Sequence, residues 1–146
     1  MQFAEAKLGR VFIIRLHDGD RLPSALEEFA LDRNLKSAFC VFLGGAKGNG
    51  RVIVGPEEDT FPPKPIVRLL DGVHEICAVG TIFCNDEGKP KLHMHASLGR
   101  GGKVVTGCVR LGLDIWQIGE AILLELVGTD AHREIDPKTG FELLAL

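Results

Sequence analysis

Apolar positions along this chain follow a helical period only once, near the start, and elsewhere gather into short runs of β character. Gly9 to Leu16 is rich in β-branched and aromatic residues and bounded by charge, which predicts a short buried strand. His17-Asp18-Gly19-Asp20 then turns the chain. Leu22, Ala25, Leu26, Phe29 and Ala30 fall on one helical face, with Pro23 tolerated in the first turn, Asp20 available as a cap and an end near Asn34. Ala38 to Leu43 is a continuous apolar run. The glycine-rich stretch Gly44 to Gly50 leads from it into Arg51 to Val54, and Asn49-Gly50 carries a hairpin signal. Glu57 to Pro65 contains Pro62-Pro63-Lys64-Pro65 and cannot join a central ladder.

Strand character resumes at Ile66 to Leu70, and Glu75 to Cys84 is so apolar that it belongs at the centre of a sheet. A turn at Asn85 to Pro90 introduces Lys91 to Leu98 and Val104 to Leu111, which read as a hairpin. Leu113 to Ile118 is a helical turn or connector, Ala121 to Val127 a strand, and Asp136 to Gly140 turns back into Phe141 to Leu144. Closely spaced strands with one early helix predict an α+β domain over residues 1–146, a mostly antiparallel sheet flanked by one or two helices.

Composition narrows what such a domain needs. A chain of 146 residues, 45% of them apolar, buries roughly 70% of its unfolded surface, enough to fold without a disulfide or structural metal. The formal charge of −3 gives no general attraction to nucleic acid or an anionic membrane. Cys40, Cys77, Cys84 and Cys108 sit in or beside apolar runs and read as reduced thiols. Met1 to Lys7 lacks the apolar core of a secretory leader, and no apolar run approaches the ~20 residues of a membrane span, so a cytoplasmic protein is expected.

Leu92-His93-Met94-His95-Ala96-Ser97-Leu98 carries the chemistry. On a strand, Leu92, Met94, Ala96 and Leu98 form the apolar face, and His93, His95 and Ser97 share the other. Two imidazoles at i and i+2 stand roughly 6–7 Å apart at the backbone, close enough to converge on one cation. In the next strand Val105, Gly107, Val109 and Leu111 form the apolar face, which puts Cys108 on the polar side with Thr106 and Arg110. Apolar faces must coincide across the hairpin, so register is restricted. Pairing Leu98 with Val105 sets His95 opposite Cys108. Pairing Leu98 with Lys103 sets His93 there but matches Lys103 with Leu98, a poorer fit. Either register brings one thiol beside two imidazoles, a His₂Cys set with an open fourth position that suits zinc, or another transition metal, better than magnesium or calcium. The competing readings are a polar strand face, a small buried thiol, and a Cys–His nucleophile–base pair that lacks an obvious orienting group.

Other features carry less. Gly44 to Gly50 has the spacing of neither nucleotide-binding loop and reads as turn geometry. Glu125 interrupts Ile122 to Leu126, either as an acid facing a pocket or, preferred, as an edge or interface salt bridge. His17, His74 and His132 read as solvated, and Lys64, Arg68, Arg100 and Lys103 form no basic stripe.

Several stretches together resemble the plant and prokaryote conserved (PPC) domain family, across nearly the whole chain. They are Arg15 to Asp20 with the helix Ala25 to Ala30, Phe42-Leu43-Gly44-Gly45-Ala46, Gly80-Thr81-Ile82-Phe83, and above all Lys89 to Gly99 followed by Val104 to Val109. The resemblance implies a homotrimer with the His-x-His strand near a subunit boundary. It also implies zinc held by that pair and a histidine at the position of Cys108, where this chain keeps a competent ligand of different type. The family's DNA association rests chiefly on an AT-hook whose Arg-Gly-Arg-Pro core is missing here; Gly99-Arg100-Gly101-Gly102 is a loop, so nucleic acid is a poorly supported partner. Two functions follow as expectations. One is a trimeric, metal-supported binding or regulatory module for a protein partner or small ligand; the other is an enzyme using a zinc-activated water, with Glu75 or Glu125 as the nearest general-base candidates.

Overall fold

Eleven strands and one helix are arranged so that β1, β3 and β9, remote in sequence, lie side by side in the sheet, which is where the architecture departs from a simple meander. The computed structural model describes all residues from Met1 to Leu146. Its elements are β1 (Lys7–Leu16), β2 (Arg21–Leu22), α1 (Ser24–Asp32), β3 (Ser37–Ala46), β4 (Arg51–Pro56), β5 (Pro65–Leu69), β6 (His74–Cys84), β7 (Pro90–Arg100), β8 (Lys103–Cys108), β9 (Leu113–Val127), β10 (His132–Ile135) and β11 (Glu142–Ala145). The main sheet runs β1-β9-β3-β6-β7-β8-β4-β5, with β2 also paired to β9, and β10-β11 form a separate hairpin. Every strand ladder is antiparallel. No helix is long and apolar enough to cross a membrane.

The fold is thus mostly antiparallel sheet with one short helix, within the one or two expected. Alternation sorts side chains to two faces. Ala38, Cys40 and Phe42 of β3, Ile76, Ala78 and Ile82 of β6, and Leu92, Met94, Ala96 and Leu98 of β7 all enter one core, against which α1 packs Leu26 and Ala30. Burial pushes the Cys40 thiol up to about 12. The opposite face stays open, and large apolar groups lie on it: Ile13 is 87% exposed, Val79 54%, Leu43 51% and Ile122 45%. All four cysteines are free.

Four expectations need correction. Gly9 to Leu16 does form a strand, but at the sheet edge with one open face rather than buried. Asp20 does not cap α1; its carboxylate accepts the His17 N–H at 2.7 Å, and Pro23 at the helix start has no side-chain cap. Asn49-Gly50 turns the chain without closing a hairpin, because β3 pairs with β6 and β9 while β4 pairs with β5 and β8. Leu113 to Ile118 is strand, the first part of β9, disguised by an irregularity: the register with β3 shifts between Gly44 and Gly45, and Gln117 takes φ 61°. Its N–H donates to Asp18 Oδ1 at 3.0 Å, and a side chain at Gly44 would run into the Ile118 carbonyl.

Glu125 makes the edge salt bridge preferred from the sequence. The β1–β9 ladder is interrupted between Leu8 and Val11, and Glu125 fills the gap. Its carboxylate accepts from the Arg10 backbone N–H at 2.9 Å, from Nε at 2.8 Å and from Nη2 at 2.7 Å. The Arg10 side chain first, then its backbone N–H, hold the carboxyl at about 2, below its ordinary 4.5. A depressed acid stabilises the fold above its unfolded pKa, and that contribution disappears as pH falls through the folded value. Thermal midpoints measured from pH 6 downward are therefore expected to fall more steeply for the wild type than for Glu125→Gln between about pH 4.5 and 2. Parallel curves through that window would contradict the assignment.

Candidate metal centre

The β7–β8 hairpin closes through Gly101 and Gly102, whose φ angles of 55° and 78° are those that a two-residue turn between twisted strands demands. That turn sets Arg100 opposite Lys103 and carries the register to Leu98–Val105, Ser97–Thr106 and His95–Cys108. The first of the two registers is the one adopted, and the Ser97 and Thr106 hydroxyls meet at 3.1 Å on the same face. The strand is held from the helix side too. β8 ends at Cys108, so the Leu92 N–H has no strand partner there and donates to Glu27 Oε1 at 2.8 Å. Gly107 allows β4 to approach closely, since a Cβ there would stand 2.6 Å from the Ile53 carbonyl oxygen.

His93, His95 and Cys108 come together as expected, their candidate ligand atoms all within 4.8 Å of one another. The two imidazoles sit edge to face with ring centres 5.1 Å apart. A tetrahedral zinc with two nitrogens and one sulfur needs donor separations of ~3.3–3.6 Å. The histidines are exposed and Cys108 is buried, so modest rotation of the imidazoles closes that difference around a fixed sulfur. Although the His93 residue is exposed, its ring is desolvated where it meets neighbouring groups; that first, then the charges of Arg133, His95 and Arg110, lower its pKa, which favours the neutral ring that ligates metals. The donor set therefore fits a transition metal held from three sides.

A cavity of about 800 Å³ opens in front of the triad. Glu27 and Lys91 line one side and Ile53 to Pro56 another, and the β10-β11 hairpin supplies Arg133, Phe141 and Glu142. Arg110 also faces it, with its guanidinium 5.4 Å from the Phe141 ring centre. Neither acid considered as a general base is here: Glu75 lies opposite Gly99 at the far end of the hairpin, and Glu125 is engaged by Arg10. His74 is buried rather than solvated, with its ring Nδ1 2.8 Å from the Gly72 carbonyl. His17 is exposed and His132 partly exposed. Arg133 had no signal in the sequence, because its place in the cavity depends on how the terminal hairpin docks.

Residues 3–127 match the Plants and Prokaryotes Conserved (PCC) domain, so the chain belongs to that family. Among solved structures it is similar to a metal-containing protein from Archaeoglobus fulgidus, with 25% identity, full coverage of both chains and a TM-score of 0.84. It is equally similar to a plant- and prokaryote-conserved protein from Pyrococcus horikoshii, at 25% identity, full coverage of both and a TM-score of 0.83. A curated relative is the bifunctional protein GlmU of Synechococcus sp. (strain JA-3-3Ab), 26% identical over 133 residues; the match takes in 90% of this chain but 20% of that protein's length.

Proposed function

We propose that this chain is a homotrimeric ligand-binding module in which His93, His95 and Cys108 hold a zinc ion. The observation that carries the metal is the convergence of three soft or borderline donors within 4.8 Å, two on one strand and the third on its registered partner. Thiolate and imidazole donors select zinc over the hard cations, which prefer oxygen. His93, His95 and Cys108 line the cavity, so an ion held by these three would keep a position for an external ligand, as in sites that take up a ligand rather than closed structural sites. The metal-containing relative from Archaeoglobus fulgidus supports the same reading.

Assembly is supported by a row of side chains straight across the open face. Ile13 lies opposite Ile122, Ile122 opposite Val41, Val41 opposite Val79, Val79 opposite His95 and His95 opposite Cys108. Ile13, Ile122 and Val79 of this row are exposed in one chain, with Val41 half-buried between them, the kind of surface that further copies cover. It adjoins the metal ligands directly. The net charge of −3 and the missing AT-hook core weigh against DNA as the ligand.

Elemental analysis of protein purified without a metal-affinity tag is expected to give about one zinc per chain, and none in a His93→Ala, His95→Ala variant that stays folded, since the core closes without the metal. Equal, negligible zinc in both would contradict the metal reading. For assembly, sedimentation velocity is expected to show a trimer for the wild type and a smaller species for Val79→Asp, which places a charge in the apolar row. A monomeric wild type, or a trimeric variant, would remove the trimer.

A further inference from the structure

Arg133 is 6% exposed, yet no carboxylate stands within ion-pair distance of it. One of its N–H groups donates to Thr81 Oγ1 at 3.0 Å, and its guanidinium lies 5.6 Å from the centre of the Phe83 ring. Burial lowers its pKa, and Glu142 offsets this only through longer-range attraction. A guanidinium has five N–H donors in a planar fork. No fully buried side-chain nitrogen or oxygen in the protein lacks a partner, so the donors that Thr81 does not take are not sealed inside the protein, and Arg133 lines the cavity. A buried cation without its counter-charge is costly, and the cost is relieved when an anion completes it.

Its position relative to the metal ligands is fixed by register. Thr81 is the cross-strand partner of His93, so their Cβ atoms are ~5 Å apart, and the guanidinium held by Thr81 sits beside that imidazole. Arg110 and Lys91 add positive charge to the same cavity, against Glu27, which is occupied by the Leu92 N–H, and Glu142. The hairpin that delivers Arg133 lies beyond the residues that match the family and is tied to the end of β6 by a bridge between Asn85 and Arg133.

We infer that the cavity binds a small molecule through its carboxylate or phosphate oxyanion, with Arg133 as the anion-pairing residue. This rests on the metal reading in one respect: the bound ion gives the same ligand a second attachment point. A planar fork matches two oxygens of either anion, and a cavity of about 800 Å³ is in the range that holds a small molecule.

Calorimetric titration of the full-length, zinc-loaded protein with inorganic phosphate and, separately, with malonate separates the two oxyanion classes. At least one is expected to bind saturably with a Kd below about 1 mM. Arg133→Met should weaken that binding at least tenfold with zinc content unchanged, and Arg133→Lys, which keeps the charge but not the fork, should fall between. No saturable binding by the wild type, or equal binding by Arg133→Met, overturns the inference. Should Arg133→Met fail to fold, the Arg133→Lys comparison decides, and unchanged affinity there counts against the fork. If the protein takes up no zinc, the metal reading fails alone; the same titration of metal-free protein then still decides, with Arg133-dependent binding supporting the anion site and its absence overturning it.

Discussion

Antiparallel register determines both the face and the cross-strand row that each side chain of this sheet occupies, and the candidate site is a product of those two assignments. His95 meets Cys108 because Leu98 meets Val105, and Val105 is there because both strands must turn their apolar residues to the same core. Slipping β8 by one residue would turn Thr106 toward the core and Val105 away from it, a change the core would oppose. The same rule fixes the row from Ile13 to Cys108 and the parallel row in which Phe39, Thr81 and His93 stand side by side. Hydrophobic burial thus places His93, His95 and Cys108 indirectly, through the alternation of apolar residues on the opposite face.

The core closes through hydrophobic burial alone, so the candidate site is not needed to hold the fold together. A buried thiol, two accessible imidazoles and a buried arginine gather at the open mouth of the sheet, where desolvation is incomplete and each group keeps a use for an external partner. The Glu125–Arg10 pair shows the contrasting case. There an acid fills a break in the β1–β9 ladder, accepts three N–H groups from one residue and is fully engaged within the chain. The Arg133 side chain has one hydrogen bond and an aromatic neighbour, and it lines the cavity with no carboxylate partner.

Much of this was legible in the sequence because alternation and the hairpin are local. The faces of Leu92 to Leu98, the preferred register and the triad itself need only a period of two and a short turn. The misread segments are those in which partners are remote. Asn49-Gly50 has hairpin chemistry, but its flanking strands find other neighbours. Leu113 to Ile118 loses its alternation at the irregularity around Gln117, and His74 is buried by a tertiary contact that its charged surroundings in sequence conceal. Arg133 is the extreme case, since its role appears only when a hairpin some forty residues downstream of the His-x-His strand folds back over the triad.

The most direct test of the registered His₂Cys centre is the electronic absorption spectrum of the protein loaded with Co²⁺ in place of zinc. A three-ligand site containing Cys108 predicts intense visible bands of tetrahedral cobalt together with a near-ultraviolet sulfur-to-metal charge-transfer band, and Cys108→Ser should abolish the latter while retaining bound cobalt. A weak octahedral spectrum, or a charge-transfer band unchanged by Cys108→Ser, would contradict the account.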